Sequence, residues 1–265
     1  MSRLTTTFDR LRQQRRFGLV TYVTAGDPDL RRTGEILVAL ENAGASVLEI
    51  GVPFSEPVAD GPVIQRSVER ALSSGTTLSA VLDLIARVRP RLSAPLVLFS
   101  YANPIVRLGI GRFAEIAAQA GVDGVLVLDL PIEEADEVRQ PLTDAGIDMV
   151  FLLSPTTSPE RIRRTAALGS GFLYAISRLG VTGARASLAP GARELVERIR
   201  AESRLPVALG FGISHPDQVR EAGRLADAAV VGSSLVSVIA QAGDGPGLEA
   251  DVRRHVRWLL ADGAD

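Results

Sequence analysis

Residues 41–50 read ENAGASVLEI. A helix-like stretch ends at Gly44, two small residues turn the chain, and an aliphatic run begins at Val47. The same pattern returns at 118–128, AQAGVDGVLVL, and at 144–153, DAGIDMVFLL. Each is a helix handing over to a strand, the joint from which parallel βαβ folds are made. The spacing between joints is irregular, so they mark βα units and not a solenoid repeat.

Outward from these joints, strands are expected at about 18–24, 47–51, 96–101, 124–128, 149–153, 172–176, 206–210 and 228–231. Helical periodicity fills about 30–43, 62–74, 78–91, 111–120, 133–145, 159–168, 191–202 and 216–224, with further helices near 234–241 and 248–261. Strands alternating with helices predict a parallel sheet. The 265 residues are close to the ~250 of a closed (β/α)8 barrel. No Pro/Gly/Ser-rich linker divides the chain, so the expectation is an α/β fold, a single TIM barrel spanning 1–265. The stretch RLTTTFDRLRQQRRFG at 3–18 is Arg-rich like a transit segment, but it contains Asp9 and runs straight into the first strand. It is read as an extra N-terminal amphipathic helix covering the barrel floor.

Composition excludes several chemistries. All 29 basic side chains are arginine, so a Schiff base on the protein's own lysine is impossible. The absence of cysteine removes disulfides, thiolate nucleophiles and thiolate metal sites, and fits a reducing compartment. Two histidines, His215 and His255, lie far apart in sequence, which speaks against a histidine-rich metal centre. A net charge of −2 gives no electrostatic reason to expect nucleic acid or an anionic membrane as a partner. With no signal-peptide core and no apolar run of membrane-spanning length, a cytoplasmic protein is expected. Chemistry here must come from carboxylates, hydroxyls, arginines and backbone amides.

In such barrels the active site lies at the C-terminal ends of the strands. Alternation along the second strand places Val47, Glu49 and Gly51 on one face and Leu48 and Ile50 on the other. The Leu/Ile face belongs under the helices, so Glu49 points inward. Burial raises a carboxyl pKa toward the range useful for proton transfer; the alternative is a buried acid paired with an arginine or with backbone amides. Asp60 lies in a DGP turn, with Pro62 suited to a first helical turn, and reads equally as a turn residue or as a catalyst folded back over the barrel mouth.

The loops GFGIS (210–214) and VGSS (231–234) follow the seventh and eighth strands, the usual phosphate location in these barrels. Gly210 and Gly212 permit close backbone approach, and Gly232, Ser233 and Ser234 open a helix whose amides would face an anion. Gly183 joins them from the loop after strand six, where Gly180 and Gly183 are candidate hinges of a lid and Arg178 and Thr182 its polar contacts. The alternative for that loop is an ordinary solvated connection. Tyr22, Phe99, Tyr101, Leu126, Tyr174 and Phe211 fall at or near strand ends, as core residues or as a flat apolar pocket for an aromatic ring.

The stretches LEIGVPFSEPVADGPVIQ (48–65), YANPI (101–105), GVDGVLVLDLP (121–131), SRLGVTGA (177–184), GFGIS and VGSSLV (231–236) occur in an order that resembles the tryptophan synthase alpha subunit family. The resemblance covers about residues 18–236, and its first stretch is highly specific. It implies retro-aldol cleavage of indole-3-glycerol phosphate to indole and glyceraldehyde 3-phosphate, the penultimate step of tryptophan biosynthesis. It also implies that Glu49 moves protons at indole C3 and the glycerol hydroxyl while Asp60 holds the indole N–H. Gly183, Gly212, Gly232 and Ser233 match phosphate-contacting positions. Tyr174 and Thr182 match residues ordering the site and its lid, and Phe211 matches a pocket wall.

The family resemblance further implies an α2β2 complex with a beta subunit that carries pyridoxal phosphate, and no cofactor on this chain. Three positions depart from the family pattern. Glu56 stands where FSDP has aspartate, in a loop facing the partner. Tyr22 replaces the usual phenylalanine, and Phe99 a smaller aliphatic, which bears on the indole pocket. Other readings are a stand-alone lyase of secondary metabolism, a non-catalytic subunit that only activates its partner, and another phosphate-binding barrel enzyme. The presence of both Glu49 and Asp60 speaks against the non-catalytic reading.

Overall fold

The computed structural model describes residues 1–176, 191–210 and 212–261. Strands β1 (Gly18–Thr24), β2 (Val47–Gly51), β3 (Leu96–Ser100), β4 (Gly124–Val127), β5 (Asp148–Leu153), β6 (Leu173–Ile176), β7 (Val207–Gly210) and β8 (Ala228–Val231) each pair in parallel with the next. The pairing of β8 with β1, Gly18 opposite Ala228, closes the barrel. Around it run α1 (Arg3–Gln13), α2 (Leu30–Ala43), α3 (Pro62–Ser73), α4 (Leu78–Val88), α5 (Ala102–Leu108), α6 (Ile110–Ala120), α7 (Ala135–Asp144), α8 (Pro159–Leu168), α9 (Ala192–Glu202), α10 (Pro216–Leu225), α11 (Ser233–Ala242) and α12 (Leu248–Leu260).

Alternation along the strands sorts the apolar residues into two layers. Leu48, Ile50, Leu96, Leu98 and Val125 face outward and pack with Ile36, Leu37, Leu40, Val81, Ile85 and Phe113 of the helices. Val20, Val47, Val97, Leu126, Val150, Phe172, Ala208 and Ala228 face inward and fill the barrel. Into that inner layer α1 inserts Leu4, Phe8 and Leu11, and the Phe8 and Phe172 rings lie 5.5 Å apart. Burying each such side chain contributes about 1.5–3 kcal/mol. Arg3 of α1 also binds the buried Asp123 carboxylate at 2.7 Å, and that carboxylate accepts the Leu96 amide at 2.8 Å. The N-terminal helix therefore seals the floor, as expected, and leaves the C-terminal rim as the open end.

The elements depart from the sequence expectations mainly at their ends. α4 stops at Val88 and a 3-10 turn, Arg89–Arg91, follows, because Pro90 cannot continue the amide ladder. β3 ends at Ser100 because Tyr101 takes the N-cap of α5, a two-turn helix absent from the sequence reading; its Pro104 falls in the first turn, where no amide partner is needed. Among the described residues no helix is long and apolar enough to cross a membrane.

Candidate active site

β2 delivers Glu49 to the upper part of the barrel interior, where the side chain is 1% exposed. Among the described residues Glu49 Oε1 has no hydrogen-bond partner. Among the described residues no arginine forms an ion pair with it and burial is the one cause of its pKa shift, which favours the proton-transfer reading over a paired buried acid. Burial alone pushes its pKa from the usual 4.5 to about 8, because a carboxylate stripped of water is costly unless neutralised. At neutral pH Glu49 is therefore a carboxylic acid.

Asp60 approaches from the loop between β2 and α3. The N-cap of α3 is Gly61, with no side chain capping the helix and Pro62 in its first turn. The Asp60 carboxylate is instead 7% exposed and accepts the Tyr101 hydroxyl at 3.2 Å. Tyr101 Oη in turn accepts the Ala59 amide at 3.2 Å, and the Gln65 side-chain amide donates to the Asp60 carbonyl at 2.9 Å. Burial raises the Asp60 pKa and the Tyr101 hydrogen bond opposes it, leaving it at about 6. The cleft thus holds two carboxyl groups in opposite protonation states at pH 7, the separation that assigns an acid and an anion to one site.

Two tyrosines line the cleft next to these groups. A Cβ at Gly51 would collide with the Tyr22 hydroxyl and ring, and one at Gly210 would come within 2.8 Å of Tyr174 Oη. Each ring therefore occupies space that a glycine on a neighbouring element leaves open. The Tyr22 pKa is raised by burial and then by Asp60, the Tyr174 pKa by burial and then by Glu49, so both remain neutral hydroxyls. Tyr22 meets Phe99 edge to face with ring centroids 5.5 Å apart, a wall suited to a flat aromatic ring.

The far lip is made by the loops after β7 and β8. Gly212 has φ +77°, a conformation that disfavours side chains. Gly232 is the N-cap of α11 with no side-chain cap, so the first-turn amides of Ser233, Ser234 and Leu235 lack helical acceptors. Together these elements enclose one concave cleft that opens at the rim of the barrel. Its described lining includes Tyr22, Glu49, Asp60, Phe99, Tyr174, Gly212, Gly232 and Ser233 and contains no arginine. An anion bound there would rely on amides and the helix dipole.

Of the residues expected from sequence, Tyr101 acts behind the lining, through Asp60. Leu126 belongs to the inward apolar cluster and pairs with Phe99 and Val150, so it fills the barrel beneath the cleft and is not part of its wall. Arg178, Thr182, Gly183 and Phe211 lie outside the described residues. Ile64, Ile213, Ser214 and Val230 also line the cleft. Alternation along β8 gave a signal for Val230, and GFGIS contained Ile213 and Ser214. Ile64 has no local signal beyond its place in the first turn of α3. Among the described residues no cluster of three or more histidine, aspartate or glutamate side chains is placed to hold a metal ion.

The chain is similar to known proteins over most of its length. Residues 8–257 match the family model for "Tryptophan synthase alpha chain". The chain is 51% identical over 236 residues to the tryptophan synthase alpha chain of Citrifermentans bemidjiense, covering 89% of this chain and 88% of that one. It is 44% identical over 259 residues to that of Solibacter usitatus, covering 98% and 97%. The structure of Mycobacterium tuberculosis tryptophan synthase superposes with a TM-score of 0.90 at 34% identity, covering 97% of this chain and 96% of that one.

Proposed function

Since the chain belongs to the tryptophan synthase alpha chain family, we propose that Glu49 and Asp60 carry its retro-aldol step. The protein is the lyase subunit of tryptophan synthase, which releases indole from indole-3-glycerol phosphate. One observation supports the assignment above others. The protonated Glu49, whose Oε1 has no partner among the described residues, and the Tyr101-held Asp60 open onto one aromatic-walled cleft that ends at a helix N-terminus.

The indole ring of the substrate lies against the wall formed by Tyr22 and Phe99, with its N–H toward Asp60, and the substrate phosphate points toward Gly212, Gly232 and Ser233. Glu49 donates its proton to indole C3. The positive charge that develops on the ring nitrogen is stabilised by the Asp60 anion. Glu49, now a carboxylate, takes the proton of the adjacent glycerol hydroxyl. That carbon becomes the aldehyde of glyceraldehyde 3-phosphate as the C3–C1′ bond breaks, and the bonding electrons restore the indole. One proton is given and one is taken, so Glu49 ends as it began. The ring is its own electron sink, and the step uses neither a lysine imine nor a cofactor on this chain.

The family works with a beta subunit, and we assign this chain to an α2β2 complex in the cytoplasm, with pyridoxal phosphate carried by the beta partner. The face bearing Glu56 and the 77% exposed Val58 is assigned to docking. An indole-release assay with and without a cognate beta subunit tests the reading. Glu49→Gln is expected to lower kcat about 10²–10⁴-fold and Asp60→Asn about 10²-fold, with KM less affected. Full activity in Glu49→Gln would overturn the assignment. High activity with no beta subunit would favour the stand-alone lyase.

A further inference from the structure

Both histidines of the chain and its only tryptophan meet on the outer side of the anion-facing lip. His255 Nε2 lies 3.1 Å from Ser234 Oγ, and Ser234 lines the cleft as the second residue of α11. The Trp258 ring lies against His255, centroids 5.4 Å apart at 35°. It also meets the His215 ring in a T-shaped arrangement, centroids 5.1 Å apart at 86°. His215 is the N-cap of α10 and follows Ser214, another lining residue. The aromatic stack on α12 therefore ties together, from behind, the two loops that carry Gly212 and Gly232.

We propose that Ser234 is a further phosphate ligand of this site and that His255 is its positioning residue, donating Nε2–H to Ser234 Oγ so that the serine proton is free for the anion. The proposal rests on reading the lip as the phosphate site. A serine hydroxyl has one proton. If it is donated to an unprotonated Nε2, the oxygen turns its lone pairs toward the cleft and repels an anion. If Nε2 carries the proton, the hydroxyl accepts from histidine and donates forward. Phosphate binding selects the second arrangement. Burial holds the His255 pKa below the usual 6.5, so the ring is neutral at pH 7 and its tautomer is set by its partners. No basic side chain is among the described residues lining the cleft, which makes one more aimed donor count.

The test is calorimetric titration of the full-length protein with glycerol 3-phosphate. Ser234→Ala and His255→Leu are each expected to weaken Kd about threefold to tenfold, the worth of one hydrogen bond. The double variant is expected to be no weaker than either single one. His255→Gln, whose amide N–H reaches the Nε2 position, is expected to restore binding. In wild type the 15N signal of His255 Nε2 is expected to move toward the protonated, pyrrole-type position on ligand addition, with His215 as the internal control. Unchanged Kd in Ser234→Ala would overturn the proposal while leaving the phosphate site in place. Additive losses in the double variant, or no rescue by glutamine, would reduce His255 to a packing role and overturn it. Absence of any glycerol 3-phosphate binding by wild type would overturn the phosphate reading itself, and this proposal with it.

Discussion

The Tyr101 hydroxyl donates to Asp60 Oδ2 at 3.2 Å and accepts from the Ala59 amide, fixing a loop carboxylate to the end of β3. That hydrogen bond lowers the Asp60 pKa against the burial that raises it. Tyr101→Phe should therefore raise the Asp60 pKa and leave the Ala59 amide without this acceptor. The expected result is an acid limb of kcat/KM displaced to higher pH and a rate about twofold to tenfold lower near pH 6.5, from one lost hydrogen bond. An unmoved acid limb would show that Asp60 ionisation does not govern turnover.

Catalysis in the proposed direction needs Asp60 ionised and Glu49 protonated, with pKa values of about 6 and about 8. A bell-shaped kcat/KM profile is expected, rising through the first value and falling through the second. The substrate phosphate also titrates near 6, so the acid limb has two sources and the Tyr101→Phe comparison separates them. The alkaline limb is the sharper measurement. A rate that is flat from pH 7 to 9.5 would contradict a protonated Glu49 as the acid.

How Glu49 points was legible in VLEIG because alternation on a strand is local. The depth of an inward residue was not. Leu126 obeys the same alternation and ends up in the barrel filling, since whether such a residue reaches the rim depends on strand stagger around the closed sheet. Nor could sequence identify the partner of Asp60, because Tyr101 lies 41 residues away and is brought there by the pairing of β2 with β3. The Ser234–His255 contact spans 21 residues and depends on how α12 packs against α11. What local periodicity controls was readable; what register and helix packing control was not.

Gly51 follows Glu49 on the inward face, and a methyl group there would collide with the Tyr22 ring and hydroxyl. Gly51→Ala should push that ring into the cleft, costing about 1–3 kcal/mol of stability as an overpacked site and raising KM more than it lowers kcat. A second change, Tyr22→Leu, should recover part of the stability. Chemical denaturation paired with indole-release kinetics checks both, and a Gly51→Ala protein with native stability would mean the ring has room to move.

The floor should behave differently from the rim. Phe8 is 2% exposed and packs on Phe172 at the end of the barrel opposite the cleft. Phe8→Ala is expected to cost about 3–5 kcal/mol while the folded fraction keeps its kcat and KM. Loss of kcat at temperatures where circular dichroism shows a folded protein would instead couple the floor to the chemistry.

Glu49 also makes the stability of the fold depend on pH, with a determinate sign. Its folded pKa, about 8, lies above the usual 4.5. Below 4.5 it is protonated in both states, so burial carries no charge penalty. Between 4.5 and 8 the folded state holds a proton that the unfolded state has lost, and stability falls as pH rises. Above 8 both states are ionised and the full penalty applies, on the order of a few kcal/mol at about 1.4 kcal/mol per pKa unit. Asp60, raised from 3.8 to about 6, contributes in the same direction over its own lower window, but it is present in wild type and Glu49→Gln alike and cancels in their difference. Glu49→Gln has no proton to lose at this position. Urea unfolding at pH 5, 7 and 9 should therefore show the variant gaining on wild type as pH rises, until it is the more stable protein at pH 9. Parallel stability curves for the two proteins would mean that Glu49 is solvated or paired in the folded state, and would remove the basis for its role as the acid.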